Sequence, residues 1–205
     1  MRLWYAPRTI SIAAVLALKE SGLDHELVPV DVAAGEQNSA AYLKLNPKGR
    51  VPVLQTADGT LLTETGAILE FVADSAPEAG LVPADPVAAA QMRSVMYYMA
   101  STMHVNHAHN RRGHRWADSP ESLADMTAKV PQTMAASAAC FQNDCLQGDW
   151  VLGDGFSLAD IYAFVVCSWL EGDGVPLADF PVLAAFMARM RARPSVQSAM
   201  EQGLI

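Results

Sequence analysis

Three short stretches carry side chains able to do chemistry. In YAPRTIS (5–11), the hydroxyls of Tyr5, Thr9 and Ser11 fall in a turn between an apolar strand and a helix. Unbonded amides at a helix start, with a hydroxyl beside them, stabilise an anion. In TETGAI (63–68), Gly66 and Ala67 open another helix whose free N–H groups attract negative charge; Thr65 adds a hydroxyl and Glu64 a carboxylate. In HVNHAHNRRGHRW (104–116), His104, His107, Arg111 and His114 recur at helical spacing along one stripe. A metal needs its ligands near one point. These histidines spread over roughly 15 Å at 1.5 Å per residue, with no acid between them, so no metal is expected. The arginines form a basic rim that steers an anion, or a plain solvated face.

NPKGRVPVL (46–54) holds a contradiction. Val51, Val53 and Leu54 read as a buried strand, yet Pro52 cannot donate to a sheet ladder. In GFSLADIYAF (155–164), Ser157 and Asp160 have the spacing of a capping box, with Phe156 and Ile161 as a hydrophobic staple. That spacing assigns Asp160 to helix nucleation rather than catalysis.

These stretches need elements to hold them. A chain of 205 residues suits one large domain or two small ones, and 51% apolar residues can bury a core. The net charge of −8 argues against nucleic acid as a partner. No apolar run reaches the roughly 18 residues of a membrane span, and MRLWYAPRTIS lacks the pattern of a secretory signal. Cys140, Cys145 and Cys167 make an odd count without paired spacing, so a reducing cytoplasm is expected rather than a disulfide framework.

The first part of the chain alternates in pattern. RLWYA (2–6) reads as a strand, SIAAVLALKESG (11–22) as a helix stopped by Gly22, and ELVPVDV (26–32) as a strand that Pro29 places at an edge. SAAYLKLN (39–46) is a short helix or turn. VPVLQT (51–56) and TLLT (60–63) flank Asp58-Gly59, a hairpin signal, and GAILEFVADSA (66–76) is a helix. The order predicts a small mixed sheet with helices on its faces. PEAGLVPADP (77–86) reads as a linker. Beyond it the pattern is helical: Met92, Val95, Met96, Met99 and Met103 recur at core spacing, and PESLADMTAKVPQTMAASAACFQNDCL is one or two helices with Pro131 a kink. The expected division is residues 1–76, a linker at 77–86, and an all-helical domain at 87–205.

This order, with NPKGRVPVL, LLTETGAILEFVAD and FSLADIYAF, resembles the cytosolic glutathione transferases, most closely the bacterial beta class. The resemblance implies an α/β thioredoxin-like N-terminal domain followed by an all-α helical domain, paired as a homodimer. It implies a glutathione S-transferase that joins glutathione, as co-substrate and without metal, to a small hydrophobic electrophile. The peptide before Pro52 would be cis, freeing the Val51 N–H and C=O to pair with the cysteinyl backbone of glutathione as an added strand would. Arg50, Val51 and Pro52 would flank the tripeptide, Thr65 would take its γ-glutamyl carboxylate, Glu64 its ammonium, and Tyr5 and Ser11 would lie near its thiol. Beta-class members commonly carry cysteine before the serine that Ser11 matches. Ile10 stands there instead, which removes mixed-disulfide chemistry at that position. Ser11 is then expected as the main thiolate donor and Thr9 as the second. His104 matches the beta-class histidine near the sulfur, and Val105 replaces a lysine often beside it. Tyr97, His104 and His107 would shape the electrophile pocket. The alternatives are a glutathione-binding or ligand-carrying protein with little turnover, and a regulatory or partner-binding module using the helical half.

Overall fold

The computed structural model describes residues 1–205 as two compact units, Met1–Pro83 together with Arg191–Ile205, and Ala84–Met190. The first opens with β1 (Arg2–Tyr5), α1 (Ser11–Ser21), β2 (Glu26–Pro29), α2 (Ala40–Leu43), β3 (Val53–Gln55), β4 (Leu61–Thr63) and α3 (Thr65–Ser75). The sheet order is β2-β1-β3-β4, so Pro29 does sit on an edge strand. β1 runs parallel to β2 and antiparallel to β3, and β3 is antiparallel to β4. Alternation in β1 buries Leu3 and Tyr5. Ser11 to Leu18 are all buried, which is why α1 is apolar on every side. Gly22, at φ 68°, ends α1 in the left-handed region. The Asp58-Gly59 turn closes with the Thr56 amide on the Thr60 carbonyl, 2.9 Å.

The register explains how this unit builds a site. Trp4 pairs with Val53 and Val53 with Thr63, one row across three strands. The turn into α1, the approach to β3 and the exit from β4 therefore all leave the sheet at one end.

The second unit holds α4 (Pro86–Tyr98), α5 (His104–Arg112), α6 (Pro120–Cys140), α7 (Leu158–Cys167) and α8 (Pro181–Arg191). A π-helical turn, Met99–Met103, joins α4 to α5, and another, Phe141–Cys145, follows α6. α4 starts at Pro86 under an Asp85 cap, whose carboxylate accepts the Ala88 amide at 2.8 Å. Met92, Val95, Met96, Met99 and Met103 are all buried, so the methionine stripe is packed core. α6 runs through Pro131 as one helix. Every residue of α7 is buried.

Residues 191–205 depart from the expected division. Their helix, α9 (Pro194–Glu201), belongs to the first unit rather than to the helical domain. The reason is a polar clasp on α1. Arg193 holds Glu20 through two bonds of 2.8 and 2.7 Å, Ser195 donates to the same carboxylate, and Lys19 donates to Ser198 at 3.1 Å.

Candidate functional site

The turn between β1 and α1 concentrates hydroxyl groups and unbonded amides. Ile10 precedes α1 without any side-chain cap, and the amides of Thr9 and Ile10 have no acceptor within the chain. Ser11 is fully buried. Its oxygen accepts the Ala6 amide at 2.9 Å, and its single proton has two acceptors in reach, the Ala6 carbonyl at 3.1 Å and Thr9 Oγ1 at 2.6 Å. Thr9 is only half-buried and also reaches the Ala6 carbonyl, 2.9 Å. The structure thus brings Thr9 and Ser11 together, with Ser11 enclosed and Thr9 partly open to solvent. Tyr5 is buried in the core.

At the head of β3, the NPKGR turn is folded by Asn46, which is 1% exposed. Its side chain accepts the Lys48 amide at 3.1 Å and donates to the Arg50 carbonyl at 2.7 Å. The Tyr42 hydroxyl donates to the same carbonyl at 2.8 Å. Burial, with Glu36 nearby, pushes the Tyr42 phenol up to about 12, so it remains a donor at neutral pH. These two bonds fix the peptide plane ahead of Val51. The Val51 side chain packs on Val30, Tyr42 and Val53, while its amide and carbonyl are bonded to nothing in the chain. The Val51–Pro52 peptide is cis. Pro52 is buried, and the Arg50 side chain is exposed.

At the end of β4, Glu64 adopts φ 73° and ψ 123°, a conformation that L residues rarely take, and leads into α3 without a side-chain cap. The first amides of that helix are left without partners. Thr65 is buried and its hydroxyl bonds no protein group. Lys48 bridges the Glu64 carboxylate and Thr63 Oγ1, the latter at 2.8 Å. A cation, an anion and free amides are therefore adjacent, a pattern that matches an amino-acid zwitterion. Lys48 escaped the sequence reading because 16 residues separate it from Glu64. Beside β1 and β2, a groove of about 500 Å³ is lined by Ala6, Pro7, Val30, Val32 and Glu36 among others. No motif marked this loop in advance.

In the second unit, His104 and His107 both meet Trp169, with ring centroids 5.0 and 4.2 Å away. His107 Nδ1 lies 2.7 Å from the buried Asp173 carboxylate, whose other oxygen accepts Asn110 at 2.9 Å. The acid missing from the histidine stripe therefore arrives from a distant segment. Tyr97 is 62% exposed and joins none of these contacts. Seven residues would stack Tyr97 over His104 on an unbroken helix; the wider π-helical turn between them shifts the phase. His114 lies beyond α5 in a short 3-10 turn, so the helix that carries the predicted stripe ends at Arg112, before it.

Asp160 is fully buried and bonds the amides of Ser157, 2.8 Å, and Val151, 2.7 Å. This is the helix-nucleating role the spacing indicates. No helix of the chain is long and apolar enough to cross a membrane.

Comparison with known proteins places the fold. The chain is 34% identical over 204 residues to glutathione S-transferase GstA of Escherichia coli O157:H7, covering 98% of this chain and 97% of that one. Its fold matches that of a glutathione transferase homologue from Sulfitobacter solved with bound glutathione, at a TM-score of 0.98 and 55% identity, covering 100% and 98% of the two chains. A bacterial beta-class glutathione S-transferase from Sphingomonas chungbukensis matches at a TM-score of 0.87 and 30% identity over 100% of both chains. Residues 1–74 fit the glutathione S-transferase N-terminal domain and residues 94–194 its C-terminal domain; the chain belongs to the glutathione S-transferase family.

Proposed function

We propose that this protein is a glutathione S-transferase of beta-class type, acting in the cytoplasm as a homodimer, that joins glutathione to small hydrophobic electrophiles. The observation that carries this reading is the row Trp4–Val53–Thr63, which gathers three unsatisfied backbone sites at one end of a single sheet. The open peptide of Val51 pairs with the cysteinyl backbone of the tripeptide as an added strand does. The α3 amides and Thr65 take its γ-glutamyl carboxylate, and Glu64 takes its ammonium. Arg50, Val51 and Pro52 flank the tripeptide, with the Arg50 guanidinium free to meet it from solvent.

The sulfur then lies at the β1–α1 turn, where the Thr9 and Ile10 amides and the Thr9 hydroxyl face it. A thiol is a weak acid near 8.5, and only its thiolate attacks an electrophile. When Ser11 donates its proton to Thr9 Oγ1, the Thr9 proton is left to choose between the Ala6 carbonyl, 2.9 Å away, and the sulfur. Thr9 is the thiolate donor in this arrangement and Ser11 the residue that positions it. His104 and His107 line the electrophile site on α5; Tyr97 is too exposed to do so without the electrophile or a second subunit covering it. Catalysis comes from positioning and from a lowered thiol pKa.

The ultraviolet absorbance of bound glutathione, titrated with pH, tests this directly. The bound thiol should ionise well below the free one, and Thr9→Val should raise its pKa and lower kcat at neutral pH by roughly 10–100-fold. A bound thiol that titrates like free glutathione would reject catalysis and leave a glutathione carrier.

A further inference from the structure

The turn that holds the sulfur is itself braced from residues 191–205. The Arg8 amide donates to the Leu204 carbonyl at 2.9 Å. Arg8 takes φ 57°, in the left-handed region that non-glycine residues seldom occupy. That conformation turns the Arg8 N–H away from the line of its neighbours and toward Leu204, while the Thr9 and Ile10 amides stay unbonded. Leu204 is only 5% exposed. Its own amide returns to the Ala199 carbonyl at 3.0 Å, and the Gly203 amide to Met200 at 2.9 Å, so the turn is locked onto the end of α9. α9 is in turn clasped to α1 through Glu20, Arg193 and Ser195. α1 begins at the sulfur turn and α9 ends at its brace, so the two helices and the turn close a ring.

We propose that Leu204 is a positioning residue for thiol activation. Its buried side chain seats the carbonyl that holds Arg8 in the left-handed conformation, and that conformation aims the Thr9 and Ile10 amides and the Thr9 hydroxyl at the sulfur. The inference rests on the reading of the β1–α1 turn as the thiolate site. Binding of the tripeptide backbone lies elsewhere, at Val51 and the start of α3, so the brace governs the sulfur without governing affinity.

The experiment compares wild type with Leu204→Ala, using glutathione and its thioether S-methylglutathione. The shorter side chain should free the Arg8 amide to exchange with solvent. The acid dissociation constant of the bound thiol should fall about tenfold, and kcat at neutral pH with it, because donors are loosened rather than deleted. Raising the pH should restore kcat, since the thiolate then forms unaided. Affinity for S-methylglutathione should stay within about twofold. Glu201→Ala, on the same segment with an exposed side chain outside the brace, should change none of these. If Leu204→Ala does not fold, Glu20→Gln loosens the clasp while keeping the core and should move the same readings by about threefold. An unchanged thiol ionisation in a variant whose Arg8 amide has lost protection overturns the proposal. So does a loss of S-methylglutathione affinity as large as the loss of kcat. Wild-type protein whose bound thiol titrates like free glutathione rejects the thiolate site itself, a distinct result that removes the premise.

Discussion

Two helix starts in this chain use similar residues for opposite ends. At α7, Asp160 satisfies the Ser157 and Val151 amides and the Ser157 hydroxyl, and the whole constellation is buried. At α1, Ser11 and Thr9 bond each other and Ala6, yet the Thr9 and Ile10 amides are left open and Thr9 reaches the surface. A closed start spends its polar groups on the fold. An open one forgoes part of the one or so kcal/mol that a good cap contributes and keeps donors for a ligand. The difference is visible in hydrogen-bond accounting and would be invisible from residue type alone.

The comparison breaks most sharply at the closed end. Asp160→Ala orphans two buried amides, each costing about 1–3 kcal/mol, so the variant should lose about 3 kcal/mol or more of stability. Chemical denaturation measures it. Glutathione affinity at low temperature should be unchanged, and a selective loss of affinity would make this start functional after all. The same carboxyl should leave a trace in pH. Burial pushes it up to about 6 from 3.8, despite the bonds that favour its charge. A folded-state pKa above the unfolded one means that the folded protein holds the proton longer. The contribution is therefore full below about pH 4 and lost as pH rises through about 6, to a total of about 3 kcal/mol. The difference in stability between wild type and Asp160→Asn, followed from pH 4 to 7, should decline over that window; a flat difference would remove the shift.

At the open end, Ser11→Ala should act twice. It leaves the buried Ala6 amide unbonded, costing about 1–2 kcal/mol, and it frees the Thr9 proton to return to the Ala6 carbonyl. The bound thiol should therefore ionise at higher pH in Ser11→Ala than in wild type, though less so than in Thr9→Val. The reverse ranking would restore Ser11 as the donor. Titration of bound thiol absorbance in the two variants decides between them.

Much of the frame was legible because it rests on local physics. The period of two in RLWYA, the Asp58-Gly59 turn, the edge marked by Pro29, the methionine stripe and the Ser157–Asp160 spacing each express a preference set within a few residues. The sequence also marks two of the three backbone segments that meet at one end of the sheet, since NPKGRVPVL and TETGAI announce a turn and a helix start. What stayed hidden depends on dihedral angles or on distant partners. Thr9 and Ser11 are two residues apart, and residue type alone does not say that Ser11 is enclosed and Thr9 partly exposed. Lys48 reaches Glu64, Asp173 reaches His107, and residues 191–205 return to α1 only in three dimensions. The π-helical turn at Met99–Met103, which moves Tyr97 off the histidine face, leaves no periodic mark.

The smallest predicted effect lies at a third start, α3, and has opposite signs in stability and affinity. Glu64 holds φ 73°, where a side chain costs about 1–3 kcal/mol, and the surrounding β4 and α3 keep it there. Glycine relieves that strain, offset by its larger loss of backbone freedom on folding, so Glu64→Gly should stabilise the protein by about 1 kcal/mol. The same change deletes the carboxylate proposed to hold the tripeptide ammonium and releases Lys48, so glutathione affinity should fall by about tenfold. Glu64→Gln separates the two contributions, since it keeps the strained backbone and removes only the charge; it should weaken binding without the gain in stability. Thermal melts of the three proteins, with and without glutathione, read both signs at once. A Glu64→Gly variant no more stable than wild type would mean that Glu64 is relaxed where it sits. The open starts would then be kept by unbonded amides alone, without stored backbone strain.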